Sequence, residues 1–260
     1  MSENVIFCFS GTGNCLDIAK NIARELGDTD IIMIRRAPEV TDVRHAKRVG
    51  FVFPCYGGGL PGGVEDSFKS IQVGDDAYKF AVCSCAAYPG TGLSILDSIF
   101  HLDYWEVLTH QCSCIWLFPH TLMMPPLSPE GAQDRAEREA KRIGRSVKAL
   151  AKSEKRPKAN PLNVAESKAF GKLAGGKAKK FAVSSMCIGC GTCAKICPKG
   201  NIKLVDRKPQ FGTDCLQCLA CLQYCPQEAI SLGKITQKRE HYHNPNVTPD
   251  DLIQRVIHID

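Results

Sequence analysis

The sequence predicts an α/β chain: a doubly wound, five-stranded parallel sheet followed by a small, cysteine-rich α+β module. Two observations carry this reading. From Asn4 to about Ala151, short apolar runs alternate with stretches whose apolar residues recur at helical spacing. Beyond that region, eight cysteines fall into two copies of one spacing. The 260 residues are 44% hydrophobic and 23% charged, ordinary globular values with room for one medium and one small domain.

Val5-Ile6-Phe7-Cys8-Phe9 is a continuous apolar run, as a strand buried on both faces requires. Ile18, Ile22, Ala23 and Leu26 then mark one face of a helix. Ile31 to Ile34, Val49 to Phe53, Phe80 to Cys85 and Cys112 to Phe118 read as the remaining strands. Helices are expected over about Val64 to Ile71, Leu93 to His101 and Pro129 to Leu150. Ser128 caps the last of these, Pro129 opens its first turn, and Glu137 and Lys141 form an i, i+4 pair. The expected division is 1–153 for the sheet domain, 154–180 for a basic linker, 181–235 for the cysteine module and 236–260 for a tail with a short helix. In the tail, Thr248 and Pro249 start that helix. Leu252, Ile253, Val256 and Ile257 form an apolar stripe expected to dock on one of the two domains.

The cysteines carry the most specific chemistry. Cys187, Cys190, Cys193 and Cys197 precede Pro198; Cys215, Cys218, Cys221 and Cys225 precede Pro226. Both read C-x2-C-x2-C-x3-C-P, the run that holds [4Fe–4S] clusters in bacterial two-cluster ferredoxins, where the fourth cysteine ligates the other cluster. The expected sets are therefore Cys187, Cys190, Cys193 with Cys225, and Cys215, Cys218, Cys221 with Cys197. Four-cysteine zinc is the alternative, but ribbon-type zinc sites place two CxxC pairs well apart. The repeat continues beyond the thiols, with Ile202 and Leu204 after the first motif and Ile230 and Leu232 after the second. A module from Phe181 to Lys234 is near the lower limit for an ordinary hydrophobic core, so the clusters must supply much of its stability.

No apolar run approaches the ~20 residues that cross a bilayer, so no membrane insertion is expected. Met1 to Phe9 lacks a basic n-region and a small-residue cleavage site. The expected compartment is the cytoplasm, where thiols stay reduced and suit ligation rather than disulfides. The formal charge is +6. Much of the excess lies at Lys152, Lys155, Arg156 and Lys158, and at Lys172, Lys177, Lys179 and Lys180. These residues are either a solvated linker or a docking surface for an acidic redox partner protein. They are not interleaved with aromatic residues, which excludes a stacking surface for nucleic acid.

Ligands of doubly wound sheets bind beyond the carboxyl ends of the strands, at the switch point. The first such loop, Ser10-Gly11-Thr12-Gly13-Asn14-Cys15, leaves a buried strand and enters a helix, which makes an anion site. It lacks the Walker lysine of a nucleoside triphosphate site, and Leu16 stands where the dinucleotide fingerprint needs its third glycine. A phosphate-binding loop and a tight turn without ligand both remain. The second loop runs through Pro54, Cys55, Tyr56, Gly57 and Gly58 to Pro61-Gly62. The third runs from Cys85 through Ala86, Ala87, Tyr88, Pro89, Gly90 and Thr91 to Gly92. Each sets one aromatic among glycines, so a flat ring can meet both backbone and a tyrosine face. Tyr56 and Tyr88 are the candidates to flank it.

Taken together, the Ser10–Asn14 loop, Phe53-Pro54 through Pro61, Tyr88-Pro89-Gly90, both cysteine motifs and the tail His243-Asn244-Pro245-Asn246-Val247-Thr248 resemble the flavodoxin–ferredoxin fusion proteins of bacteria and archaea, often called EFR-type ferredoxins. The resemblance covers the whole chain. It implies a flavodoxin-like doubly wound sheet followed by a bacterial two-cluster ferredoxin domain, FMN in the three loops, two [4Fe–4S] clusters and an electron-transfer role. Two departures stand out: Cys15 replaces the hydroxyl residue usual at the end of a flavodoxin phosphate loop, and the ring loops lack a tryptophan.

The expected function is a conduit that relays electrons between FMN, the clusters and external redox partners, from an anaerobic or microaerobic host. The alternative is a flavin-dependent reductase of a small-molecule acceptor fed by the clusters, with its substrate near His120 to Pro126. A third class is a sensory module that signals through cluster state. Cys83 with Cys85, and Cys112 with Cys114, are read as packed thiols of strand faces. Trp116 is read as core, and His241 and His243 as solvated or capping.

Overall fold

The computed structural model describes residues 2–35, 40–118, 126–177 and 180–260. The N-terminal two-thirds runs β1 (Asn4–Cys8), α1 (Asn14–Leu26), β2 (Thr29–Met33), β3 (Thr41–Asp42), β4 (Arg48–Pro54), α2 (Val64–Lys69), β5 (Ile71–Gln72), β6 (Tyr78–Cys85), α3 (Gly92–Phe100), β7 (Tyr104–Thr109) and α4 (Pro129–Lys148). The main sheet has the order β12-β2-β1-β4-β6-β7, where β12 is Val256–Ile259 of the tail. β2, β1, β4, β6 and β7 are mutually parallel. Counting these strands in sequence, the order is 2-1-3-4-5, the flavodoxin-like winding, whose switch point lies between β1 and β4.

Two layers of helix bury the sheet. On one face Ile18 and Ile22 of α1 pack with Ala136, Ala140 and Ile143 of α4. Ala132, Ala136, Ala140 and Gly144 recur every fourth residue, and this small-residue row lets α4 lie close on α1: a Cβ on Gly144 would sit 2.7 Å from Glu25 Cβ. On the other face Val64 and Phe68 of α2 and Leu93 and Leu96 of α3 pack with Phe7, Phe51 and Phe53. Ser128 Oγ accepts from Gly131 N at 3.1 Å, and Lys141 pairs with Glu137 at 2.6 Å, as the sequence predicts for α4.

The fifth parallel strand differs from the expectation. It is Tyr104–Thr109, and Cys112–Phe118 forms a turn-rich wall instead. The reason is position: β7 is the edge strand, fully buries only Tyr104 and Leu108 and carries Glu106 between them, so it does not read as a continuous apolar run. Ile115 and Trp116 are buried, but against the C-terminal module rather than within the sheet.

After α4 the chain forms α5 (Pro161–Lys177), β8 (Phe181–Val183), α6 (Thr192–Ile196), β9 (Ile202–Val205), β10 (Lys208–Phe211), α7 (Ala220–Gln223), β11 (Ile230–Leu232), α8 (Gly233–Thr236), α9 (Pro249–Ile253) and β12. β8 pairs antiparallel with β11, and β9 with β10. Leu204 breaks the internal repeat: Ile202, Ile230 and Leu232 are buried, whereas Leu204 is 44% exposed. Leu219, Leu222, Ile230 and Leu232 share a core with Ile115 and Trp116, and Phe170 of α5 packs on it. The segment expected as a linker therefore holds a helix packed at the junction of the two units.

The tail also departs from a single apolar stripe. Thr248 caps α9 in a capping box with Asp251 and buries Leu252, but the chain then turns extended. β12 adds to the sheet edge antiparallel to β2, so the five parallel strands gain a sixth. Lys20 of α1 pairs with Asp251 at 2.8 Å. Among the described residues, no helix is long and apolar enough to cross a membrane.

Candidate functional site: two thiol cavities beside a loop-lined pocket

The eight motif cysteines fall into two groups in space. Cys187, Cys190, Cys193 and Cys225 line one cavity of about 370 Å³, closed by Pro226 and Ile230. Cys197, Cys215, Cys218 and Cys221 line another of about 370 Å³, closed by Phe181, Ile202 and Phe211. Each cavity takes three cysteines from one motif and the fourth from the other, the crossed sets expected from spacing. Glycines shape the first loop: Gly189 and Gly191 adopt φ of 72° and 80°, backbone that favours glycine.

Among the described residues, no three Cys, His, Asp or Glu side chains converge on a point suited to one ion. The thiols of each set instead stand around a space that fits a polynuclear core. Backbone donors already point at sulfur: Asn201 N at 3.3 Å from Cys197 Sγ, and Ala229 N at 3.3 Å from Cys225 Sγ. Burial pushes the Cys193 thiol up to about 11 and Cys218 to about 12. Such thiols become thiolates only beside strong positive charge, which coordinated iron supplies.

A third, larger cavity of about 1180 Å³ opens at the carboxyl ends of β1, β4, β6 and β7. Of the residues expected to hold a flavin, Ser10, Gly11, Thr12, Asn14, Cys15, Pro54, Tyr56, Gly57, Gly58, Ala87 and Tyr88 line it. Gly13, Pro89 and Gly90 do not. Gly13 takes φ 95° at the start of α1, where a Cβ would meet Tyr224 Oη at 2.7 Å and Asn244 Cβ at 2.8 Å. It lets the tail approach the loop. Pro89 O accepts from the Cys83 thiol at 3.5 Å, and Gly90 lies against the Gly58 backbone. Both support the second and third loops from behind, as does Thr91 N, which donates to Gly58 O at 2.9 Å.

The first loop is fixed from two sides. Thr12 Oγ1 is 2.8 Å from Ser113 Oγ, and Asn14 Nδ2 donates to Gln111 O at 3.3 Å. From the tail, Asn244 N donates to Thr12 O at 2.8 Å, and Tyr242 Oη donates to Asn14 Oδ1 at 2.8 Å. Tyr224 stacks on His243 with ring centroids 4.4 Å apart and donates to Val247 O at 3.2 Å. His243 therefore packs on a ring at the junction. Cys15 is not an activated thiol at the helix start, because burial pushes its pKa well up.

Several wall residues were not legible as site residues. Phe170 packs on Gly57, and Glu166 accepts from Tyr88 Oη at 2.5 Å. Both come from α5, where they stand at i, i+4 on one helix face. That spacing was the available signal, masked by the lysines around it. Gln111 and Gln217 line the cavity with buried Oε1 atoms that lack a partner among the described residues, and such atoms seek a donor from a ligand. Cys112 and Cys114 also line it, so they are not strand-face packing. Of the His120 to Pro126 stretch expected near a substrate, residues 120–125 lie outside the described residues.

The second thiol cavity and the large pocket share a wall. Cys218 and Leu219 line both. Gly11 touches this wall directly: a Cβ there would sit 2.7 Å from Cys218 O, 2.8 Å from Tyr56 Oη and 3.1 Å from Cys218 Cβ.

Solved structures match at low similarity, among them the following three. An FMN-dependent NADH-azoreductase from Bacillus anthracis, in complex with FMN, is 8% identical with a TM-score of 0.37, covering 56% of this chain and 99% of the other. Rubredoxin oxygen:oxidoreductase from Desulfovibrio gigas is 14% identical with a TM-score of 0.36, and the match spans 56% of this chain but 36% of that one. Trp repressor binding protein from Bacillus subtilis is 14% identical with a TM-score of 0.33, covering 54% and 98%. No curated relative matches the sequence. Residues 186–229, which hold both cysteine motifs, match the family model of the 4Fe-4S dicluster domain, so the C-terminal module is an iron–sulfur domain of ferredoxin type.

Proposed function

We propose that the chain is an electron-transfer protein of the flavodoxin–ferredoxin fusion type, which relays electrons between FMN in the large pocket, two [4Fe–4S] clusters and external redox partner proteins. The observation that carries this reading is the shared wall: Cys218 belongs to one thiol set and also lines the pocket. An electron leaving the pocket there has a cluster ligand as its next neighbour.

The residues fit the groups they are assigned. The N-terminus of α1 and the Thr12 and Ser10 hydroxyls suit a phosphate. Gly57 and Gly58, with φ of 49° and 77°, bring bare backbone to a flat ring between Tyr56 and Tyr88. Gln111 and Gln217 offer acceptors to its N–H edge. FMN would supply the exchange between a two-electron and a one-electron couple. The protein's part is to hold the ring against Cys218, exclude water with Phe170, and tune the sulfur by hydrogen bonds.

Cys190 is the exposed member of the first thiol set. Met186, Ile188, Leu204 and Val205 are exposed on the same module, at 61%, 55%, 44% and 44%. That face is the exit to a partner protein in this scheme.

A reductase reading draws on the pocket itself, a concave site lined mostly by apolar and backbone groups with a few polar side chains, Gln111, Glu166 and Gln217 among them, as small-molecule sites are. Anoxic purification with iron, sulfide and flavin quantified separates the outcomes. About eight irons with one FMN support the relay. Iron without flavin, even after reconstitution, refutes it. Steady turnover of a quinone or nitroaromatic without any protein partner favours the reductase.

A further inference from the structure

The pocket wall carries a pair of thiols that electron relay does not use. Cys112 and Cys114 follow β7 on either side of Ser113, and both line the large cavity. The segment between them is clamped. Ser113 Oγ meets Thr12 Oγ1 at 2.8 Å, and Ser113 O accepts from Gln223 Nε2 at 3.1 Å. Beyond them, Leu117 N and Phe118 N donate to Cys114 O at 3.0 and 3.1 Å. Cys114 stands close enough to lower the Cys112 thiol despite burial. Spacing of i, i+2 keeps two Cα atoms within about 7 Å, the range a disulfide bridges with little backbone movement.

We propose that Cys112 and Cys114 form a redox-active dithiol that reduces a disulfide substrate entering this cavity. Among the pocket thiols Cys112 is the one suited to attack. Cys114 beside it lowers the Cys112 thiol despite burial, whereas burial pushes Cys55 up to about 11 and Cys85 to about 12. A lowered thiol holds more thiolate, the attacking form.

The chemistry balances as thiol–disulfide exchange. The Cys112 thiolate attacks one sulfur of the substrate; the substrate S–S bond breaks, one substrate thiolate leaves, and a mixed disulfide forms. Cys114, losing its proton, attacks the Cys112 sulfur; the mixed S–S bond breaks and the second substrate thiolate leaves. The substrate gains two electrons and two protons, and Cys112–Cys114 becomes a disulfide. Two electrons, delivered singly through the iron–sulfur module, and two protons from solvent restore the dithiol. Only this last step rests on the relay reading.

The test uses full-length holoprotein, prepared anoxically, its thiols reduced with a phosphine that leaves flavin and clusters oxidised, freed of reductant and mixed with glutathione disulfide; a second sample carries reduced clusters. Alkylation and peptide mass spectrometry read the thiols, and iron content is followed throughout. The expected product is a Cys112–Cys114 disulfide, with two glutathione thiols released per chain and iron retained. Cys114→Ser should stop at glutathione bound to Cys112, and Cys112→Ser should slow release at least about tenfold. Both variants must keep the cluster absorbance of the parent protein. Modification confined to Cys55 or Cys85, or no reaction with clusters intact, overturns the proposal. A completed single turnover that reduced clusters fail to repeat leaves the dithiol standing and refutes the relay.

Discussion

Gln217 donates to the Cys215 sulfur twice, from its backbone N–H and its side-chain Nε2, each at 3.4 Å, while its buried Oε1 stays unpartnered in the wall of the large cavity. Its φ of 55° is a left-handed conformation, uncommon outside glycine, and it turns the side chain back onto the thiol loop. One amide thus contacts a cysteine of the second thiol set and borders the pocket.

Replacing this amide should separate its two contacts. Hydrogen bonds to sulfur stabilise the more negative, reduced cluster, so Gln217→Leu should lower one cluster potential by about 30–60 mV, roughly 0.7–1.4 kcal/mol for one electron. The same change should weaken FMN binding about tenfold, as loss of one buried hydrogen bond does. Potentiometric titration followed by electron paramagnetic resonance reads the first, and flavin fluorescence the second. Unchanged potentials would remove Gln217 from the coupling.

Gly11 sets how closely the two units approach. Gly11→Ala puts a methyl group 2.7 Å from Cys218 O and 2.8 Å from Tyr56 Oη, and backbone does not yield as a side chain does. The expected cost is about 1–3 kcal/mol of overpacking, with flavin-to-cluster exchange slowed more than tenfold. A thermal melt of holoprotein and rapid-mixing spectra measure the two effects. Unaltered exchange would show that the Cys218 wall is not the route.

Removal of iron should unfold the C-terminal module selectively. Its strands come in two ladders of two, and small units of this kind draw their stability from bound metal. After chelation, limited proteolysis should cut between Phe181 and Lys234 while β1 to β7 stay protected. A cooperative melt of the iron-free module would contradict this.

The tail should register pH through Asp251. Burial pushes its carboxyl up, but Lys20 and the Thr248 N–H and hydroxyl together outweigh that and hold it below the usual carboxylate range. A depressed folded value means stability present above the unfolded pKa of about 4 and lost as pH falls through the folded one. Asp251→Asn should abolish that loss and cost about 1 kcal/mol at neutral pH, as removal of a cap and a half-buried pair does. Amide hydrogen exchange of α9 and β12 against pH checks it.

The grouping of the cysteines was the most legible part, because two copies of one fixed spacing leave the chain little choice about which thiols meet. The loop after β1 was also readable as a strand-to-helix turn, since a buried strand must end before Ser10 and a helix must begin by Cys15. Ring-loop reading was coarser: Tyr56 and Tyr88 line the cavity, but Pro89 and Gly90 only brace it. What sequence patterns miss is convergence from afar. Phe170 lies 113 positions from Gly57 and Asn244 lies 232 from Thr12, and their packing follows from the folded surface rather than from local periodicity. The fifth strand was misplaced for a related reason: Ile115 and Trp116 are apolar because they face the second unit.

The central claim is that the large pocket and the thiol set containing Cys218 form one electron path. Its most direct test is anoxic photoreduction of flavin in reconstituted full-length protein, followed by time-resolved absorbance of the clusters. The account expects cluster bleaching that tracks flavin reoxidation at a first-order rate independent of protein concentration. Exchange that is absent, or that scales with concentration as between separate molecules, would contradict it.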